Sequence, residues 1–357
     1  MSPCKNTSSP RASQLELPHS PSNVAKTDSN CGSGLKTAKA LWTSSFPPKS
    51  QFSTDQIPDL TGRVVIVTGG NAGVGKETVK ALLEHDAKVY MGCRSKSKAE
   101  VAMKELKEAT GKDAIFLELD LSSLESVKCA AQEFLSKENE LHILFLNAGV
   151  MFPPIEQLTQ DGYDLQFGIN VVGHHLLTKL LLPALWAGKE SSPDGHARIM
   201  TTSSDGAYYF TINWDSFKDG PVRKKLGTQK MYFQSKFANV VVARELARRY
   251  GPQGIISNAC HPGHLKTDLQ RHVPAWQTKI IINRRKRCYI PPLMAPSLNF
   301  GVALCRRPFN TMESFLFPGL GLGDAEMKRM ILRLVRGSGI IWRRRQRLSR
   351  RQRLRSR

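Results

Sequence analysis

A chain of 357 residues with 40% hydrophobic content can bury a sizeable core without staples, and its seven scattered cysteines, none in a C-x-x-C pair, suggest neither a disulfide framework nor a zinc site. The net charge of +22 raises nucleic acid or an anionic membrane surface as partners, yet nine arginines lie in residues 343 to 357 and another basic run is Arg284-Arg285-Lys286-Arg287, so the excess is concentrated late. The tail has no interleaved aromatics, no apolar stretch reaches the roughly 18 residues of a membrane span, and no apolar run near the N-terminus reads as a secretory signal, so nucleic acid, a transmembrane segment and secretion are not expected and a reducing, cytoplasmic setting is.

Residues 1–57 are rich in Ser, Pro, Lys and Asn without sustained periodicity, and read as a disordered leader. A transit peptide is the alternative, against which Glu16 and Asp28 count. From Leu60 onward, apolar runs at 64–68, 87–93, 114–120, 141–147, 197–203 and 254–260 read as strands. Between them, Lys98 to Glu108 and Ser123 to Ser136 have apolar residues at helical spacing. This alternation predicts an α/β fold, a single Rossmann-type doubly wound parallel sheet with helices on both faces, over residues 58–325. A basic tail follows over 326–357.

Thr68-Gly69-Gly70-Asn71-Ala72-Gly73-Val74-Gly75 lies between the first strand and a helical segment at Lys76 to Glu84. Gly69 permits a tight turn, Gly73 lets the backbone approach a pyrophosphate, and Gly75 lets helix and strand pack closely, while the helix N-terminus offers N–H groups to an anion. The second strand ends in Cys93-Arg94, with Lys96 and Lys98 behind, where an acid about 20 residues beyond the glycines would bind a ribose 2′-hydroxyl. A missing acid and a nearby guanidinium suit a 2′-phosphate, unless Arg94 is only a solvated charge. Asp120 at the end of the third strand either faces a ligand or caps the next helix, and Asn147 with Gly149 is either a site or a turn. Tyr232 and Lys236 stand at i and i+4 where a helix to about Tyr250 opens. That spacing puts an ammonium beside a phenol whose free pKa of about 10 is otherwise ill matched to proton transfer, or it is simple packing.

Taken together, Thr68 to Gly75, Asp120, Asn147-Ala148-Gly149, Asn170, Ser203-Ser204, Tyr232 with Lys236, and His261-Pro262-Gly263 with Thr267 resemble the short-chain dehydrogenase/reductase superfamily. Within it the chain is similar to the retinol-dehydrogenase-like oxidoreductases common among fungal enzymes. The resemblance implies an NADP(H)-dependent oxidoreductase that interconverts a small-molecule carbonyl and an alcohol. Ser204 would polarise the substrate oxygen, Tyr232 would be the general acid or base, Lys236 would lower the phenol pKa and bind ribose, and Asn170 would position a relay water. It further implies a cofactor held by Gly69, Asn71, Gly73, Val74, Gly75, Arg94, Lys98, Asp120, Asn147, Tyr232, Lys236 and Thr267. It implies no metal and allows a homo-oligomer through the flanking helices.

His174-His175 and His261 are expected to be helix and loop residues in a fold that already has its acid. The family pattern breaks at Arg284 to Arg287, which interrupt what should be an apolar helix, and at the arginine-rich end. A damaged substrate pocket would leave a catalytically weak NADP(H)-binding regulator as the competing class. Turnover of a carbonyl panel separates the two.

Overall fold

The computed structural model describes residues 53–263 and 269–270; Thr267, the 284–287 cluster and the 326–357 tail lie outside them. A 3₁₀ turn at Thr54–Gln56 leads into Ile57 and Leu60, both buried in the core. Strand β1 (Val64–Thr68) is buried along its whole length. Val65 and Val67 enter one apolar cluster, Val64 and Ile66 another on the opposite face. Burial on both faces is why the strand is a continuous apolar run rather than an alternating one.

The remaining strands are β2 (Lys88–Cys93), β3 (Ile115–Glu118), β4 (Ile143–Leu146), β5 (Ala197–Thr202) and β6 (Ile255–Cys260). They form one all-parallel sheet of order β3-β2-β1-β4-β5-β6. The order reverses between β1 and β4, which opens a crevice at their C-terminal ends. Helices α1 (Gly73–Glu84) and α2 (Lys96–Thr110) cover the Val65/Val67 face, while α3 (Leu124–Lys137) covers the other. The Ser95 hydroxyl accepts the Lys98 N–H and the Ser123 hydroxyl accepts the Ser126 N–H, so each helix starts where a side chain satisfies an amide left over by the first turn. The Ser95 cap starts α2 two residues before the apolar pattern at 98–108, and the Ser123 cap starts α3 one residue inside that at 123–136.

Two helical pieces differ from the pattern expected of the sequence. Asp164 caps a one-turn helix, α4 (Leu165–Phe167), by accepting the Gln166 and Phe167 N–H groups, and α4 continues through a π-helical segment (Gly168–Gly173) into α5 (His174–Glu190). Helix α6 runs Pro221–Tyr250 with a break at Gly227, so it starts well before Tyr232, the expected opening. Its first turns have no apolar face to betray them. They are anchored by fully buried Arg223, whose Nε donates to Asp164 Oδ2 at 3.0 Å and whose terminal nitrogens donate to Asp219, Ile155 O and Gln157 O.

Candidate active site

The glycine turn joins β1 to α1 at the crevice. Gly69 has φ +67, the left-handed region that glycine tolerates. A Cβ on Gly75 would overlap Gly69 O and come within 2.6 Å of Asn147 Nδ2, so α1 can sit this close to the turn and to β4 only without a side chain. Ala72, which precedes α1, contributes no side-chain cap, which leaves the first-turn amides of Gly73, Val74 and Gly75 suited to a phosphate. This cradle fits the pyrophosphate of a dinucleotide.

On the other side of the crevice, Thr68 gathers the end of β4. Its Oγ1 accepts the Asn147 and Ala148 N–H groups, each at 2.9 Å, and its carbonyl accepts Asn147 Nδ2 at 3.0 Å. Fully buried Asn170, in the π segment, accepts the Val150 N–H at 2.9 Å and donates to Val150 O and Ser235 Oγ. Its side chain therefore holds the Val150 backbone and the Ser235 hydroxyl. His174 Nε2 lies 2.8 Å from Thr68 Oγ1 and its Nδ1 3.2 Å from Asn170 O. Burial pushes the His174 pKa down to about 4.

That burial has a measurable consequence. Between its unfolded value of 6.5 and about 4, His174 binds a proton only in the unfolded chain, so its contribution is complete above pH 6.5 and is lost as pH falls through that window. Buried His142, whose Nδ1 accepts the Val64 N–H and whose pKa is also lowered by desolvation, acts in the same direction. Denaturant titrations should show a loss on the order of 2 kcal/mol from His174 between pH 7 and pH 5. Equal midpoints at the two pH values would contradict the neutral, buried imidazole.

Ser204, just beyond the end of β5, meets Tyr232 and Lys236 of α6. A Cβ on Gly206 would lie 3.4 Å from Tyr232 Cε1 and 3.5 Å from Ser204 Oγ. A Cβ on Gly149 would lie 3.6 Å from Lys236 Nζ and 3.2 Å from Asn170 Oδ1. These two glycines thus mark serine beside tyrosine at Gly206, and lysine beside asparagine at Gly149. Ser204 Oγ donates to Asp205 Oδ1 at 2.9 Å and accepts the Gly206 N–H. Lys236 Nζ donates to Thr202 O at 3.0 Å and stands 5.7 Å from the Tyr232 ring centroid. Burial raises the Tyr232 pKa; Ser204 offsets part of the rise and Asp205 adds to it. Lys236 is not among the influences on the phenol, and desolvation takes Lys236 itself down to about 8.

Phe152 walls this group, a residue that sequence did not single out. Its backbone is held at φ 55, its N–H donates to Gln166 Oε1, and its ring meets Tyr232 edge-on at 5.3 Å. Only the fold could reveal it, because no spacing links residue 152 to 232.

At the far end of the crevice, Cys93 Sγ donates to Asn71 Oδ1 at 3.3 Å and ties β2 to the glycine turn. Arg94 and Lys98 are exposed, and neither side chain makes a hydrogen bond or ion pair among the described residues. Asp120 Oδ1 accepts both the N–H and the hydroxyl of Ser122, so one oxygen closes a turn ahead of α3, whose cap is Ser123. Among the described residues no group of three or more His, Cys, Asp or Glu is placed to hold a metal ion, and no helix is long and apolar enough to cross a membrane.

The short chain dehydrogenase family model matches residues 63–217. A short-chain dehydrogenase/reductase of Armillaria gallica is 56% identical over 246 residues, covering 69% of this chain and 79% of that one. The chain belongs to the short-chain dehydrogenase/reductase family. Human retinol dehydrogenase 11 is 40% identical over 221 residues, covering 62% of this chain and 65% of that protein. Among solved structures, the 3-ketoacyl-(acyl-carrier-protein) reductase of Brucella melitensis complexed with NADH is 25% identical, with a TM-score of 0.53, over 68% of this chain and 91% of that one. The family's oxidoreductases use a nicotinamide dinucleotide, and the crevice between β1 and β4 is where this dehydrogenase/reductase fold receives it.

Proposed function

We propose that this protein is an NADP(H)-dependent oxidoreductase that interconverts a small-molecule carbonyl and an alcohol. The observation that carries the reading is that Asn170 and Lys236 meet at Gly149, Ser204 and Tyr232 meet at Gly206, and Lys236 Nζ stands 5.7 Å from the Tyr232 ring. When bound, the dinucleotide supplies or accepts the hydride. Tyr232, kept protonated by burial, gives its proton to the carbonyl oxygen in reduction and recovers it in oxidation. Ser204 would orient that oxygen, Lys236 beside Gly149 would hold the coenzyme's ribose, and Asn170 keeps Val150 and the Tyr232 helix in register. NADPH consumption with a panel of aldehydes and ketones tests this. Coenzyme binding without turnover would instead indicate a regulator.

The preference for NADP(H) is supported by Cys93 standing where an acid would repel a 2′-phosphate, and by the uncommitted cations of Arg94 and Lys98. An acid at position 93 would also face Asn71 Oδ1, an acceptor, and would force that amide to turn over. Charge-assisted bonds contribute about 1.5 to 3 kcal/mol, or about 10- to 160-fold in affinity. Combining Cys93→Asp with Arg94→Ala should reduce the NADPH-to-NADH ratio of kcat/KM by that factor. A parent protein favouring NADH would refute the preference outright.

A further inference from the structure

The hydrogen bonds around His174 fix its tautomer from both sides. Thr68 Oγ1 has two lone pairs, and the Asn147 and Ala148 N–H groups take both. Its proton must therefore be donated, and at 2.8 Å His174 Nε2 is a nearer acceptor than Phe145 O at 3.3 Å. On the other edge of the ring, Nδ1 faces Asn170 O, which can only accept. Both contacts demand the neutral form with its proton on Nδ1, an assignment made from the network. Lys236 is the charged neighbour whose field acts on this ring, and it disfavours a second proton.

We propose that His174 is a positioning residue that locks the dinucleotide cradle to the tyrosine helix through this single tautomer. One side of the ring reaches Thr68, the last residue of β1 and the clasp on the end of β4. The other side reaches Asn170, whose side chain donates to Ser235 Oγ, which donates in turn to Tyr232 O. The relay thus runs from the glycine turn to the backbone of Tyr232 with one buried imidazole at its centre. It rests on the proposed function, in that the two ends bind coenzyme and perform proton transfer respectively.

Two substitutions divide the ring's two bonds. His174→Asn keeps a donor near the Nδ1 position toward Asn170 O but cannot reach Thr68, whereas His174→Gln reaches toward Thr68 and abandons Asn170. His174→Asn should weaken NADPH binding more than it lowers kcat, and His174→Gln should lower kcat more than it weakens NADPH binding, each favoured effect being about 10-fold. In parent protein labelled with ¹⁵N-histidine, one imidazole should show the Nδ1–H tautomer and fail to titrate between about pH 7.5 and 5.5, and that signal should vanish in both variants. Equal proportional losses in the two variants would reduce His174 to structural support, and an Nε2–H tautomer would overturn the relay. If neither variant folds, His142→Gln and His175→Gln remove the other buried imidazoles whose pKa is lowered, and the non-titrating signal that survives both changes decides by its tautomer. A parent that binds neither NADPH nor NADH refutes the proposed function instead, and the nitrogen spectrum still judges the relay.

Discussion

Tyr232→Phe should lower turnover by about 10² to 10⁴ while leaving NADPH affinity and melting temperature close to the parent's. The change removes one acidic proton and almost no volume. The ring that packs edge-on against Phe152 at 5.3 Å stays in place, so the wall of the site is preserved. Burial raises the phenol pKa, so at neutral pH the group holds its proton and is ready to give it to a carbonyl oxygen. Phenylalanine has nothing to give. Single-turnover reduction with saturating NADPH measures the loss directly. Turnover within a few fold of the parent would mean that another group is the acid.

Arg223→Met should destabilise the fold by about 3 to 5 kcal/mol, the usual cost of leaving a buried charge without its partner. Arg223 is fully buried, and its partner Asp164 is 2% exposed. Burial already pushes the Asp164 carboxyl up even with the guanidinium beside it and two amides donating to it, so losing Arg223 would leave a group that is costly in either protonation state. The Ile155 and Gln157 carbonyls would also lose their donor. Replacing both, Arg223→Met with Asp164→Asn, should cost less than the two single changes added together, because the neutral amide no longer demands a counter-charge. Urea midpoints of the four proteins measure the coupling, and a single-variant loss under about 1 kcal/mol would show that the pair is dispensable. Activity should fall with stability, since Asp164 caps the helix that leads into the Asn170 segment.

Much of the fold is legible in the order of residues alone. Strand positions show because a parallel sheet covered on both faces requires unbroken apolar runs, and Val64 to Val67 or Ile143 to Leu146 admit little else. The glycine turn shows because close approach leaves a trace in composition: Gly75 has no room for a Cβ. The grouping of Asn147, Ser204, Tyr232 and Lys236 is legible through family resemblance alone, since no periodicity connects residues so far apart in the chain.

Three features were decided by tertiary structure. The first turns of α6 are held by a buried ion pair rather than by an apolar face, so Pro221 to Leu226 show no buried apolar stripe. The direction of the Tyr232 and Lys236 shifts depended on burial, because desolvation disfavours the charged form of each. His174 could not be told from an ordinary helix histidine until the fold set Thr68 on one side of its ring and Asn170 on the other. Local sequence records which residues must be small, apolar or turn-forming. Which polar groups face one another inside the core is settled only when strands and helices distant in the chain are packed together, because a buried donor has to find its acceptor across that packing.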